Sequence, residues 1–246
     1  MKELRGKAAL VTGGSRGMGA AIARVLAARG ASVAITYRAS ADAAEQVMAD
    51  LRLNGADHVA IQADHRDDES TVRAAEAAIA RFGRVDILVN SAGVFPYGPI
   101  EETALDEIDD VLAIHVRTPY RLVQAVLSSM GEGGRIICIG SSLGGHVPGP
   151  GVSLYSMSKA ALVGLTKALA RELGGRGITV NLVNPGSIDT DMNPADGPQA
   201  DAERSLIPLG RYGSAGEIAE AVAFLASPAG AFVNGAILAV DGGATA

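Results

Sequence analysis

Tyr155 and Lys159 stand four residues apart in the run Tyr155-Ser156-Met157-Ser158-Lys159, which opens a stretch of helical periodicity. On a helix that spacing puts both side chains on one face. A phenol is a weak acid near neutrality, with a pKa of about 10, and a neighbouring ammonium group favours its phenolate and draws that value down. Such a pair can exchange a proton with a carbonyl or alcohol oxygen, although the same spacing also arises on ordinary helices. Upstream, Ile139-Gly140-Ser141-Ser142 closes an apolar run. A serine hydroxyl there could hold a substrate oxygen against Tyr155, or could cap a turn.

A second group of residues suits a phosphate. The run Ala8–Thr12 leads straight into Gly13-Gly14-Ser15-Arg16-Gly17-Met18-Gly19, and a helical pattern begins there. Glycines between a strand and a helix let the backbone approach a pyrophosphate at the helix N-terminus. About 20 residues beyond such a turn an NAD site places an acid on the ribose hydroxyls. The segment Ile35-Thr36-Tyr37-Arg38-Ala39-Ser40 holds none. Arg38, with Arg16 from the glycine turn, could instead pair with a 2′-phosphate, so the residues favour NADP(H) over NAD(H); the alternative for Arg38 is a solvated loop position. In Ala63-Asp64-His65 the acid could accept from an adenine amino group or form an Asx turn. Asn90-Ser91-Ala92-Gly93 supplies small residues at the end of another apolar run, leaving room for a ligand.

The elements that must position these residues alternate in type. Strands are expected at Ala8–Thr12, Ser32–Tyr37, His58–Gln62, Val85–Asn90, Arg135–Gly140, Thr179–Val183 and Ala236–Val240. Helices are expected at Ala20–Arg29, Asp42–Leu53, Ser70–Phe82, Leu105–Leu127, Leu154–Leu173 and Ala215–Ala226, with stops at Gly30, Gly55, Gly83 and Gly174. This alternation predicts βαβ units wound into an α/β fold. The expectation is one doubly wound Rossmann domain over residues 1–246, a parallel sheet of about seven strands with helices on both faces. A closed eight-stranded barrel is disfavoured because Pro185–Gly213 interrupts the alternation.

Composition narrows the function. Hydrophobic residues make up 48% of the 246 and charged residues 20%, which excludes intrinsic disorder. A net charge of −6 argues against a broad basic nucleic-acid surface. No apolar run reaches the length of a membrane span and the N-terminus lacks a signal-peptide core, so a soluble cytoplasmic protein is expected. The single cysteine, Cys138, fits a reducing compartment and reads as a buried thiol. His58, His65, His115 and His146 show no zinc-ligand spacing, and no metal is expected.

Taken in order, Thr12-Gly13-x-x-x-Gly17-x-Gly19, Asp64, Asn90-Ser91-Ala92-Gly93, Ser141/Ser142, Tyr155-x-x-x-Lys159, Asn184-Pro185-Gly186 and Asp241-Gly242-Gly243 resemble the classical short-chain dehydrogenase/reductase family over essentially the whole chain, including its 3-oxoacyl-acyl-carrier-protein reductase-like members. The resemblance implies that Tyr155 is the general acid and that Lys159 holds the nicotinamide ribose. It places Pro185, Gly186 and Ile188 beside the nicotinamide and Thr190 at its carboxamide or the phosphates. It implies homotetramer contacts through Ala236–Val240. For the serine, counting back 14 residues from Tyr155 gives Ser141 and 13 gives Ser142; Ser141 is preferred. One departure stands out: His115 occupies the place of an asparagine that supports a water linking the lysine to solvent, and a neutral imidazole can also accept and donate. The implied activity is reduction of a ketone or aldehyde, with Asp189–Arg211 as a mobile substrate lid; that segment holds few aromatic or basic residues, which points away from bulky anionic acyl carriers and towards a neutral carbonyl compound of small or medium size. Ile188–Pro198 also resembles a branch linked to cyclic diguanylate binding and biofilm dispersal, which gives a regulatory alternative.

Overall fold

The structure is a computed structural model and describes residues 2–246. Strand β1 (Ala8–Val11) is buried along its whole length, as an unbroken apolar run requires when a sheet is covered on both faces. After it come α1 (Gly17–Ala28), β2 (Ser32–Tyr37), α2 (Ala41–Arg52), β3 (His58–Gln62), α3 (Asp68–Phe82), β4 (Ile87–Asn90), α4 (Leu105–Leu112), α5 (Thr118–Val126), β5 (Arg135–Ile139), α6 (Ser153–Gly174) and β6 (Thr179–Pro185). The chain ends with β7 (Ile188–Asp189), α7 (Ala200–Ser205), β8 (Gly213–Ser214), α8 (Ala215–Ala226) and β9 (Ile237–Val240).

Seven strands form one parallel sheet in the order β3-β2-β1-β4-β5-β6-β9. Side chains alternate across it. Ala9, Val11, Val33 and Ile35 pack with α1, α2 and α8 on one face, whereas Leu10, Ala34, Leu88 and Ile136 pack with α3, α5 and α6 on the other. This is a single Rossmann-like domain. The winding reverses between β1 and β4, so the crevice for a ligand opens at their carboxyl ends. No helix among the described residues is long and apolar enough to cross a membrane.

The structure corrects several boundaries. Helix α1 starts three residues before Ala20, because its first turn is built from glycines that carry no apolar signal. Strand β4 starts at Ile87 and not Val85, since the buried Asp86 takes the Ala8 N–H at 2.8 Å. Strand β6 runs on to Pro185, paired with Val240 of β9. The helix expected over Leu105–Leu127 is two helices joined by a π-turn at Ala113–Arg117. Pro119 explains the turn: it has no N–H for the carbonyl four residues back, which is that of His115, and its ring crowds that carbonyl.

Candidate active site

Helix α6 begins beside the carboxyl end of β5 and brings the chemistry together. Ser141 follows the strand and is buried, and its Oγ accepts the Leu143 N–H at 3.1 Å. That leaves the hydroxyl proton free to donate. Tyr155 is half-buried. Burial pushes its phenol above the usual value, and the neighbouring Ser141 hydroxyl works against that push. Ser142 opens a short 3-10 turn and has no such contact with the phenol.

Lys159 is buried one turn further along α6. Its Nζ donates to the Ile139 carbonyl at 2.9 Å and lies 5.7 Å from the centre of the Tyr155 ring. Burial lowers its pKa to about 8, so the ammonium is still charged at neutral pH. The expected lowering of the phenol by this ammonium is therefore not a property of the chain alone: the cation sits by the ring face and is tied to a carbonyl, and burial sets the direction of the phenol's shift.

His115 is buried beside them, its ring centre 5.7 Å from that of Tyr155. Its Nε2 accepts the Val94 N–H at 3.0 Å, which fixes the tautomer with the proton on Nδ1. Nδ1 then donates to Ser158 Oγ at 2.8 Å, and Ser158 donates to the Tyr155 backbone carbonyl at 2.7 Å. Burial first, and the Lys159 charge second, hold its pKa at about 3. Both ring nitrogens of this neutral imidazole are used within the protein.

The glycine turn lies across the crevice. Gly13 and Gly17 adopt φ of +65° and +53°, the left-handed region that glycine enters without steric cost. A Cβ on Gly13 would fall 2.9 Å from the Ala92 Cα, so β1 and β4 end too close together for a larger residue. Thr12 Oγ1 pins them by accepting the N–H groups of Ser91 and Ala92 at 2.9 and 3.0 Å. Arg16, the residue before α1, makes no side-chain cap, which leaves the first N–H groups of the helix, those of Gly17, Met18 and Gly19, open to an anion. Asn90 Oδ1 is buried without a partner. Thr190 lies beside Gly17, 3.7 Å from where a Cβ there would stand.

A family model described as enoyl-(acyl carrier protein) reductase matches residues 13–245. The chain belongs to the short-chain dehydrogenase/reductase family. A short-chain dehydrogenase of Burkholderia cenocepacia, solved in complex with NADP, superposes with a TM-score of 0.98 at 52% identity, covering 99% of this chain and 100% of that one. A 3-oxoacyl-acyl-carrier-protein reductase of Pseudomonas aeruginosa is 45% identical, over 98% of each chain. A cyclic-di-GMP-binding biofilm dispersal mediator protein of Escherichia coli is 42% identical, again over 98% of each.

The structure places the other positions singled out in the sequence as follows. Arg38 is exposed at the end of β2, where Gln62 Nε2 holds its carbonyl at 3.0 Å, with Tyr37 and Ser40 to either side. It lines a groove of about 370 Å³ with Arg66, Phe95, Val111 and Ile114. Asp64 forms an Asx turn with the Arg66 N–H and pairs with the Arg66 guanidinium at 2.5 Å, which holds its carboxyl down at about 2. His65 is buried, and its ring nitrogens meet Thr36 Oγ1 at 2.8 Å and Thr71 Oγ1 at 3.1 Å. Thr36 in turn receives the Gly13 N–H at 3.2 Å, so His65 supports the glycine turn from beneath. Gly93 leaves room for His115 and Lys159: a Cβ there would lie 3.1 Å from one and 3.6 Å from the other. Pro185 and Ile188 are buried, and Gly186 lies against Asp241. A larger groove of about 590 Å³ by Lys167, Arg171 and Asn234 lies at the far end of α6, away from every group above.

Sequence reasoning gave no individual role to Thr12, Thr36, Ser158 or Phe95. The first three act through contacts between segments distant along the chain, which no local pattern reports. Phe95 carried a signal: it is an aromatic residue directly after Asn90–Val94 in a chain with nine Phe and Tyr residues in all.

Proposed function

We propose that this protein reduces ketones or aldehydes with NADPH and, in reverse, oxidises the corresponding alcohols. The observation that carries this reading is the meeting of Ser141, Tyr155 and Lys159 at the carboxyl end of β5, across from the glycine turn. The crevice fits a dinucleotide: a turn that tolerates no Cβ at Gly13, uncapped N–H groups at α1, and the unpartnered Asn90 Oδ1. Gly13, Ser15, Arg16, Gly17, Met18 and Gly19 would hold the pyrophosphate. Arg38, with Tyr37, Ser40 and Arg16 nearby, would hold the 2′-phosphate. Asp64 and His65 would border the adenine, and Asn90, Ala92, Gly93 and Lys159 the nicotinamide ribose. Pro185, Gly186, Ile188 and Thr190 would flank the nicotinamide.

When bound, NADPH supplies the hydride that reaches the carbonyl carbon. Tyr155 gives its phenolic proton to the carbonyl oxygen. Ser141 donates its hydroxyl proton to the same oxygen and so holds it at the phenol. Lys159 stabilises the phenolate that remains. His115 serves as a neutral strut, joining the loop after β4 to α6 and so fixing the backbone that carries Tyr155. Asp189–Arg211 is the lid; it holds its own small core of Ala200 and Ile207 against Tyr212.

The test is NADPH consumption across a panel of ketones, with NADH in parallel. Turnover that prefers NADPH is expected, and faster turnover with NADH would contradict the reading of Arg38. The relative named as a cyclic-di-GMP-binding mediator favours a second reading, a dinucleotide-binding regulator. It would replace the first if no ketone were reduced and cyclic diguanylate bound at micromolar concentration. We place the protein in the cytoplasm as a homotetramer. Support for assembly comes from β9 at the open edge of the sheet, where Ile237 is exposed, and from the exposed Phe232 in the turn before it.

A further inference from the structure

We infer that the carbonyl compound this site takes is neutral and aromatic, held by stacking on Phe95 and Tyr97. This rests on the carbonyl-reductase reading and names its substrate class. The chain has no tryptophan and nine Phe and Tyr residues, yet three of them, Phe95, Tyr97 and Tyr155, meet here. Phe95 sets its edge against the catalytic ring, with centres 4.8 Å apart at 76°. Tyr97 lies nearly parallel to Phe95, with centres 6.4 Å apart at 21°. The two rings therefore continue outward from the acid that must reach the substrate oxygen.

They also remain open to solvent, at 43% for Phe95 and 71% for Tyr97. Large apolar rings left uncovered in a group suit a ligand, and π-faces prefer an offset or edge-on aromatic partner. Tyr97 is nevertheless held in place. Its ring lies over Gly151, where a Cβ would come within 2.9 Å, and the Gly98 N–H bonds the Gly151 carbonyl at 2.9 Å. The glycine-rich loop before α6 thus keeps the outer ring beside the site.

Charge around the rings selects against anions. Residues 91–100 and 141–158, which frame the acid and the platform, contain no Asp, Glu, Lys or Arg. The lid Asp189–Arg211 carries Asp189, Asp191, Asp196, Asp201 and Glu203 against two arginines, of which Arg204 pairs with Asp201 and Arg211 with Glu217. Beside Phe95 stand Arg38, assigned above to the cofactor's 2′-phosphate, and Arg66, paired with Asp64 and Asp110, so a phosphate-bearing acyl thioester would meet carboxylates and cations already engaged, whereas a neutral aryl ketone loses nothing by their presence.

The experiment compares acetophenone with cyclohexyl methyl ketone, which share one carbon skeleton and differ in the planar π-face, and adds acetoacetyl-coenzyme A as the anionic arm. The wild-type protein should favour acetophenone over its saturated analogue by about fivefold in kcat/KM, the scale of one or two aromatic contacts. Tyr97→Leu, a change at an exposed ring, should bring that ratio towards one. Binding of both ketones to NADP⁺-saturated Tyr155→Phe protein reads the platform without chemistry and should show the same preference. Equal kcat/KM and equal binding of the two ketones would overturn the inference, as would a higher kcat/KM on acetoacetyl-coenzyme A than on acetophenone. If neither ketone is turned over while acetophenone still binds more tightly, the platform stands and the carbonyl-reductase reading fails.

Discussion

Among single residues, the chemistry depends on where protons sit. Tyr155 and Lys159 were legible because their spacing is a helix rule that needs no knowledge of the fold. The choice between Ser141 and Ser142 was not, since adjacent residues leave a strand in opposite directions and only the backbone decides which one faces the phenol. Ser141 is buried with its oxygen accepting from Leu143, so its proton can go to a substrate oxygen. Replacing Ser141 by alanine should therefore lower kcat by about a hundredfold, in the range for losing one oriented donor. Ser142→Ala should stay within a few-fold of the wild type. Steady-state rates on one ketone check this, and the reverse order would transfer the role to Ser142. His115 was visible as a departure from the family pattern, but its two bonds, to Val94 and Ser158, join segments far apart along the chain.

At the scale of elements, most of the scaffold could be read from apolar runs and glycine stops. Every strand of the main sheet was placed within two residues at each end. What escaped was the break between α4 and α5. Residues 105–127 keep a helical period throughout, and the cost of Pro119 is absorbed by widening the turn before it. That turn carries His115 towards the loop after β4. Substituting His115 by leucine would leave the half-buried Val94 N–H without its partner, at a cost of about 1 kcal/mol. Denaturant unfolding should show this loss, together with reduced turnover. A variant as stable as the wild type would remove the strut from the account.

For the whole molecule, two buried histidines tie stability to pH. His65 and His115 titrate at about 4 and about 3, both held down mainly by burial. In the unfolded chain each would protonate near 6.5. The sign follows: below that value the unfolded state binds protons that the native state refuses, so their contribution is complete above about 6.5 and is lost as pH falls towards 4. Each group contributes a slope of up to about 1.4 kcal/mol per pH unit in that window. Thermal unfolding between pH 7.5 and 4.5 should show Tm falling steadily, and less steeply for His65→Asn than for the wild type. An identical fall in both would mean that other groups control acid stability.

Reduction by this protein requires Tyr155 as the proton donor, and a single substitution separates that role from the ring's packing. Tyr155→Phe keeps the ring that packs against Phe95 and removes the acidic oxygen. With NADPH bound as tightly as in the wild type, followed by the fluorescence of the bound dinucleotide, the variant should reduce ketones about a thousandfold more slowly, within the range for losing a general acid. Reduction at the full wild-type rate by that variant would contradict the mechanism.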